Sequence, residues 1–523
     1  MPRTITAPEL RTLIESGGEL ALIDVREELP FSEKHLLHAR SLPLSRLELR
    51  LAALVPRRAT PIVVCDDGEG LAERAAEKIA GFGYADVSVL EGGVAGWGKA
   101  GFTLFSGTNV PSKAFGEWIE HESGTPSIDA KELHALMERR ADMVVLDSRP
   151  WDEYHRIAIP SGIDVPGAEL VLRARDLAPD PATLVVVNCA GRTRSIIGAQ
   201  SLIDAGLPNK VVALRNGTMG WTLAGFEPAH GADRKAPAPS PATRQWAKDA
   251  ARKVADRCGV KGTDEAALAR WQADETRTTY LFDVRDPPEY EAGHLAGAIS
   301  APGGQLVQAT DQYAGTMGSR IVLNDPLEAR ALMTGAWLKR MGWREVYVLA
   351  AEGRERGFPQ PAVLGLERAP SQGIDPAALA DLLARGAASV VDLGSSKSYR
   401  DGHIAGAWFA IRSRLKEALP RVPKREMLVL TSEDGNLARL AVREAEAIAG
   451  ARVTFLADGT EGWKAAGRAL AHGAEHMADE PMDLWLKAYE RQSGVKAAME
   501  EYLAWELDLL HRIKEDGTCR FTN

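Results

Sequence analysis

Cysteine is nearly absent from this chain, with four residues in 523, at positions 65, 189, 258 and 519. Such spacing supplies neither a disulfide framework nor a metal-binding cluster, and it suits a reducing, cytoplasmic compartment. No apolar run reaches the ~18 residues of a membrane span. The start, Met1 to Leu10, lacks the charged and then apolar stretches of a secretory signal. A strong excess of one charge is missing too. The net charge of −9 is mild and spread out, which argues against nucleic acid or an anionic membrane as the main partner. What remains is 45% hydrophobic and 26% charged, ordinary for soluble globular protein and too long for one core. Length alone suggests about three or four domains.

Internal repetition supplies the count. A strand ending in Asp recurs at Asp24 (LALIDVREE), Asp147 (MVVLDSRPWDEY), Asp283 (YLFDVRDPPEY) and Asp392 (SVVDLGSSKSY). After three of these comes a turn containing His, at His35, His294 and His403; the second copy has Ala158 instead. A further apolar strand and helical pattern follow in each copy. A glycine turn before Trp97, Trp221 and Trp463 closes three of them, and the third copy degenerates to VLAAEGRERGF. Short β-branched strands alternating with helical patterns favour parallel βα units, covered on both faces. The reading is α/β: four units at 1–108, 124–232, 258–362 and 371–474, and a tail at 475–523 reading as two amphipathic helices. Linkers are expected at SGTNVPSKAFGEW, DRKAPAPSPATRQW and RGFPQPAVLGLERAPSQG.

The chemistry concentrates at LVVVNCAGRTRS, Leu184 to Ser195. In an open parallel sheet, ligands sit beyond the carboxyl ends of the strands. A loop from such a strand into a helix presents several backbone N–H groups to an anion. Cys189 occupies that junction, where its thiolate is expected to be stabilised. Ala190 and Gly191 let the backbone curl around the sulfur, and Arg192 and Arg194 add positive charge at the rim. Aligned by their strands, the other units place Asp66, Asp325 and Ser432 in the slot of Cys189, so one unit of four can do thiolate chemistry. Cys65 falls one place earlier and is expected to point away from its loop.

Together the DxR strand end, the EY…GH(I/L)xGA turn, the six-residue Cys loop and the GGxxGW segment resemble the rhodanese (sulfurtransferase) family, over nearly the whole chain up to about Ala474. The resemblance implies a central five-stranded parallel sheet in each unit and a persulfide carried on Cys189. It implies a small anionic sulfur donor such as thiosulfate, bound by Ala190, Gly191, Arg192, Thr193, Arg194 and Ser195. The acceptor would be a thiol or cyanide, and no metal or organic cofactor is needed. Departures are the missing His in unit two, the missing nucleophile in three units and the absent Trp turn in unit three.

Two other readings stay open. Phosphatase- or arsenate-reductase-like loops place five residues between Cys and Arg, whereas CAGRTR places four, a ring better sized for one sulfur. Alternatively, the four modules act as a docking scaffold. Further expectations concern single residues. Arg149 anchors its turn, Trp97, Trp221 and Trp463 pack in cores, and His472 with His476 forms a surface pair. Unit one walls the cleft, so that deleting residues after about Gly365 spares activity. The tail, with Trp485, Tyr489, Tyr502 and Trp505, covers a neighbouring unit or a second chain of a homo-oligomer.

Overall fold

The computed structural model describes residues 2–491 and 493–523. Met1, in the first expected unit, and Gln492, in the tail, lie outside the described residues. The apolar runs form four separate parallel sheets. In units one to three the five strands, numbered within each unit in chain order, share the order 1-5-4-2-3. The strand that carries the loop is therefore central, buried on both faces. In unit two it is Leu184–Asn188, flanked by Met143–Asp147 and Val211–Leu214. Unit four departs from the five-stranded expectation: its sheet has four strands, and the place of the first is reduced to a single bridge between Ile374 and Leu456.

The recurring motifs are structural locks. In units one to three the strand-end Asp takes its DxR arginine in a fork: Arg149 donates to Asp147 at 2.8 and 2.7 Å and also to the Ile157 carbonyl at 2.6 Å. Arg26 and Arg285 repeat this geometry. Arg149 thus anchors its turn, fully buried. The turn histidines stack on the aromatic residue four places earlier, His294 on Tyr290 and His403 on Tyr399 at 3.9 Å between centroids, and His35 on Phe31 at 4.1 Å. Ala158 in unit two keeps the same antiparallel backbone bridge that those histidines make. Its substitution removes a stacked ring and leaves the turn's path intact. Each turn tryptophan is buried and donates its indole N–H to the carbonyl six residues on, at 3.1 Å.

The units pack directly on one another, unit one against both unit three and unit four. Units two and three share one hydrophobic core running from Leu146 to Val348, with Arg330 of unit three donating to Glu169 of unit two at 2.8 Å. Units one and four meet through Arg412, which forks onto Glu48 at 2.9 and 3.0 Å. Two of the expected linkers contain buried helices, Val110–Ser123 and Pro241–Arg257. Phe115 and Ile119, four apart and fully buried, explain the first: one helical face is apolar and both neighbours supply a core.

The tail holds one long helix, Val495–Asp516, where the sequence suggested two. Its first half runs as a strap with a single 3₁₀ turn at Ala488–Glu490. Pro481 and Gly494 bound that strap, which finds partners outside itself: Leu29 N–H donates to the Met482 carbonyl at 3.0 Å, and Ser396 N–H donates to the Asp483 carboxylate at 2.8 Å. His472 and His476 stand outside any helix; His472 Nδ1 pairs with the Asp401 carbonyl at 2.7 Å and His476 stacks on Trp408. Among the described residues no helix is long and apolar enough to cross a membrane.

Candidate active site

Cys189 lies one residue beyond the central strand of unit two and four before the helix Thr193–Asp204. It is 2% exposed and its Sγ sits 3.4 Å from Ser195 Oγ. The glycine–tryptophan turn fixes the loop from behind. Thr218 N–H donates to the Cys189 carbonyl at 2.9 Å and Met219 N–H to the Ala190 carbonyl at 3.0 Å. Gly217, at φ +53°, passes so close that a Cβ there would lie 2.2 Å from the Cys189 carbonyl oxygen. Only glycine fits. The glycine turn before Trp221, whose indole packs in the core, is therefore also the clamp on the cysteine loop.

What the loop is built to hold can be read from the three silent units. In unit one the Asp66 carboxylate accepts from the N–H groups of Gly68, Leu71 and Ala72 at 3.0, 2.7 and 3.1 Å. In unit three Asp325 accepts from Leu327 and Arg330 at 3.1 and 2.9 Å. In unit four the neutral Ser432 Oγ accepts from Ala438 N–H at 3.2 Å. Counted from the slot, the donors are the second, fifth and sixth residues. The equivalents in unit two are Gly191, Arg194 and Ser195, whose N–H groups have no protein acceptor among the described residues. The same loop thus closes on a carboxylate twice, while the cysteine unit leaves its amides unfilled, an arrangement that suits an anion.

The arginines separate. Arg194 reaches the cleft, where it donates to Glu153 at 2.7 Å and to Gln305 of unit three at 3.0 Å. Lys487 of the strap takes the other Glu153 oxygen at 3.0 Å. Burial opposes the Glu153 charge, yet Arg194 and Lys487 outweigh it and hold that carboxyl well below the usual carboxylate range. Two cations against one carboxylate leave net positive charge beside the sulfur. Arg192 turns the other way. Its guanidinium forks onto Glu117 at 2.7 Å to each oxygen and also bonds Glu120, both on the helix Val110–Ser123. Arg192, expected to contact substrate, lines the cavity while its guanidinium is engaged by two carboxylates that tie the loop to that helix. Thr193 likewise gives its hydroxyl to Glu506 of the tail helix at 3.1 Å. Ser195 faces the sulfur, and Ala190 and Gly191 line the cavity.

The walls differ from the expected ones. A cavity of about 150 Å³ over Cys189 is bounded by Gln305, Gln308 and Ala309 of unit three, by Lys113 after unit one, and by Trp485, Lys487, Tyr489 and Tyr502 of the tail. Unit one itself contributes little beyond Thr108, so the expectation that it walls the cleft fails. The pairing of units two and three decides the matter. Tyr502 accepts from Lys113 Nζ at 2.5 Å and donates to Glu506 at 3.0 Å; burial and Glu506 keep it a neutral phenol. The tail helix packs against the loop closely enough that a Cβ on Gly191 would meet Glu506 and Tyr502 at 3.2 Å. No local signal in sequence could reveal the contacts between the loop and the tail helix, which span more than 300 residues.

Of the remaining cysteines, Cys65 is buried and Cys258 and Cys519 are partly buried. Cys65 ends its strand within the unit-one core, and burial followed by the neighbouring Asp24 pushes its thiol well up. Burial also raises Cys258 and Cys519. Among the described residues no group of three His, Cys, Asp or Glu is placed to hold a metal ion.

Comparison with known proteins adds the following. The rhodanese-like domain model matches residues 6–100, 129–224, 264–351 and 375–466. A solved structure described as thiosulfate sulfurtransferase from Pseudomonas aeruginosa is 50% identical, with TM-score 0.96, and the match covers 99% of each chain. A probable adenylyltransferase/sulfurtransferase, MoeZ, of Mycobacterium tuberculosis is 39% identical over 98 residues, 18% of this chain and 24% of that protein. An uncharacterized Synechocystis protein, slr1261, is 30% identical over 105 residues, 20% of this chain and 58% of its own length. The chain thus spans about a quarter of the first of these curated relatives.

Proposed function

Since the chain belongs to the rhodanese-like family, with four copies of the domain, we propose that it is a sulfurtransferase whose second unit moves a sulfane sulfur through a Cys189 persulfide. The observation that carries this reading is the set of unfilled loop amides in the cysteine unit, in a fold where two of the other three units fill the same amides with a carboxylate. The 99% overlap with a protein described as a thiosulfate sulfurtransferase supports the reaction class.

The donor is a small anion such as thiosulfate, drawn to Arg194 and Lys487. The Cys189 thiolate attacks the outer sulfur of the donor. A new S–S bond forms, the donor S–S bond breaks, and sulfite leaves with the electron pair. The negative terminal sulfur of the persulfide is held by the N–H groups of Gly191, Arg194 and Ser195, which need no reorganisation as charge moves onto it. Cyanide or a thiol then attacks that terminal sulfur and the Cys189 thiolate returns. Two displacements through one covalent intermediate give ping-pong kinetics. Arg194 at the cleft, Ser195 beside the sulfur, and the backbone of Ala190, Gly191 and Thr193 form the donor site, with Arg192 as a positioning residue behind it. The walls leave a cavity of about 150 Å³, room enough for thiosulfate. The other units stabilise the assembly.

The test is sulfite release from thiosulfate in the presence of cyanide, with mass spectrometry of the chain after donor exposure. A gain of one sulfur on the peptide holding Cys189, and loss of turnover in Cys189→Ser, are expected. Full activity in that variant would overturn the reading.

A further inference from the structure

A second cavity, also of about 150 Å³, lies between unit one, unit three and the last residues of the chain. It has no lining residue in common with the cavity over Cys189. At its floor stand Arg40 and Asp311, 5% and 8% exposed. Arg40 Nε and Asp311 Oδ1 are buried without a hydrogen-bond partner, and the two side chains make no salt bridge with each other among the described residues. The groups that could satisfy them are engaged elsewhere. Tyr280 donates its hydroxyl to the Leu54 carbonyl at 2.5 Å and accepts from Thr316 N–H at 3.0 Å, while Arg50 bonds Gln312 at 2.8 Å. His38 pairs with Thr518 Oγ1 at 2.8 Å. Burial, then Arg40 and Arg11, push His38 down to about 3, so it brings no charge.

An arginine cannot shed its proton, and a buried guanidinium with an unpartnered N–H is costly unless something takes that donor. The sister units show that the fold does not require the arginine. Arg40 pairs in register with Ile23; the same strand position holds Ile163, Ile299 and Trp408 in units two, three and four. Unit one alone replaces an apolar residue by a guanidinium, and unit three sets a carboxylate across the cavity from it. At the mouth, Arg344 and Arg520 are exposed and add positive charge on the way in. A buried guanidinium and a buried carboxylate, each with one atom lacking a partner and with no direct salt bridge between them, complement a ligand that carries both signs. The volume matches a cavity that takes benzene, room for about six to eight non-hydrogen atoms.

We propose that this cavity binds a small zwitterion of the α-amino-acid type, its carboxylate on Arg40 and its ammonium group on Asp311. The experiment is calorimetric titration of the full chain carrying Cys189→Ser with glycine, L-serine, L-cysteine and inorganic phosphate. At least one amino acid binds. Arg40→Met weakens it more than about 30-fold, and Asp311→Asn weakens it without creating phosphate binding. Heat from phosphate alone, amino-acid binding that survives both substitutions, or no binding by any of the three amino acids would each overturn the proposal. Asp311→Asn keeps shape and volume, so it carries the test if Arg40→Met does not fold.

Discussion

Replacing Cys189 by Asp should convert the working loop into a copy of the silent one. In unit one the slot carboxylate takes three N–H groups at 2.7 to 3.1 Å, and the equivalent donors in unit two are those of Gly191, Arg194 and Ser195. A hydrogen bond to a charged group contributes about 1.5 kcal/mol or more. An internal carboxylate that occupies all three would therefore deprive an incoming donor of about 4.5 kcal/mol, some three powers of ten in affinity, before like-charge repulsion is counted. Cys189→Ser removes the nucleophile and leaves the amides open. Both variants should be inactive, yet only the serine variant should bind thiosulfate, with an affinity about 10³-fold above that of the aspartate variant. Calorimetric titration of the two proteins measures this directly. Equal affinities would mean that the loop amides do not hold the donor, and the comparison among the four units would lose its force.

The two loop arginines should fail differently. Arg194→Met should raise KM for thiosulfate about 30-fold with the fold intact, whereas Arg192→Met leaves Glu117 and Glu120 without their cation and should cost about 3–5 kcal/mol of stability, read in urea unfolding. Removal of residues 475–523 opens the cavity over Cys189 and strips its Lys487 and Tyr502, so sulfite release should fall at least tenfold; Lys487→Met in the full chain should lower kcat/KM in the same direction and weaken its salt dependence. Acid should destabilise the protein early. His35 and His38 are pushed by burial to about 4 and about 3 from an ordinary value of 6.5. Their stabilising neutral state is fully present above pH 6.5, and as pH falls through 6.5 toward 4 the unfolded chain takes up two protons that the folded chain refuses. The slope of unfolding free energy there should flatten by about one proton, ~1.4 kcal/mol per pH unit, in His38→Gln, measured by urea titration at several pH values.

Much of this protein was legible in its residues alone. Strand-end Asp, DxR, turn histidine and glycine–tryptophan segments are local patterns with local causes, so their order along the chain determined four α/β units, and the position of Cys189 after a β-branched run determined which unit holds the proposed nucleophile. Tertiary structure decided what surrounds that nucleophile. Arg192 and Arg194 stand two residues apart and look alike in sequence; the helix Val110–Ser123 claims the first and leaves the second to the cleft. The choice of unit three over unit one as a wall, the closing strap, and the unsatisfied Arg40 and Asp311 follow from how units pair. Those contacts join residues hundreds of positions apart, and they are fixed by the complementarity of whole surfaces, for which a one-dimensional pattern has no period.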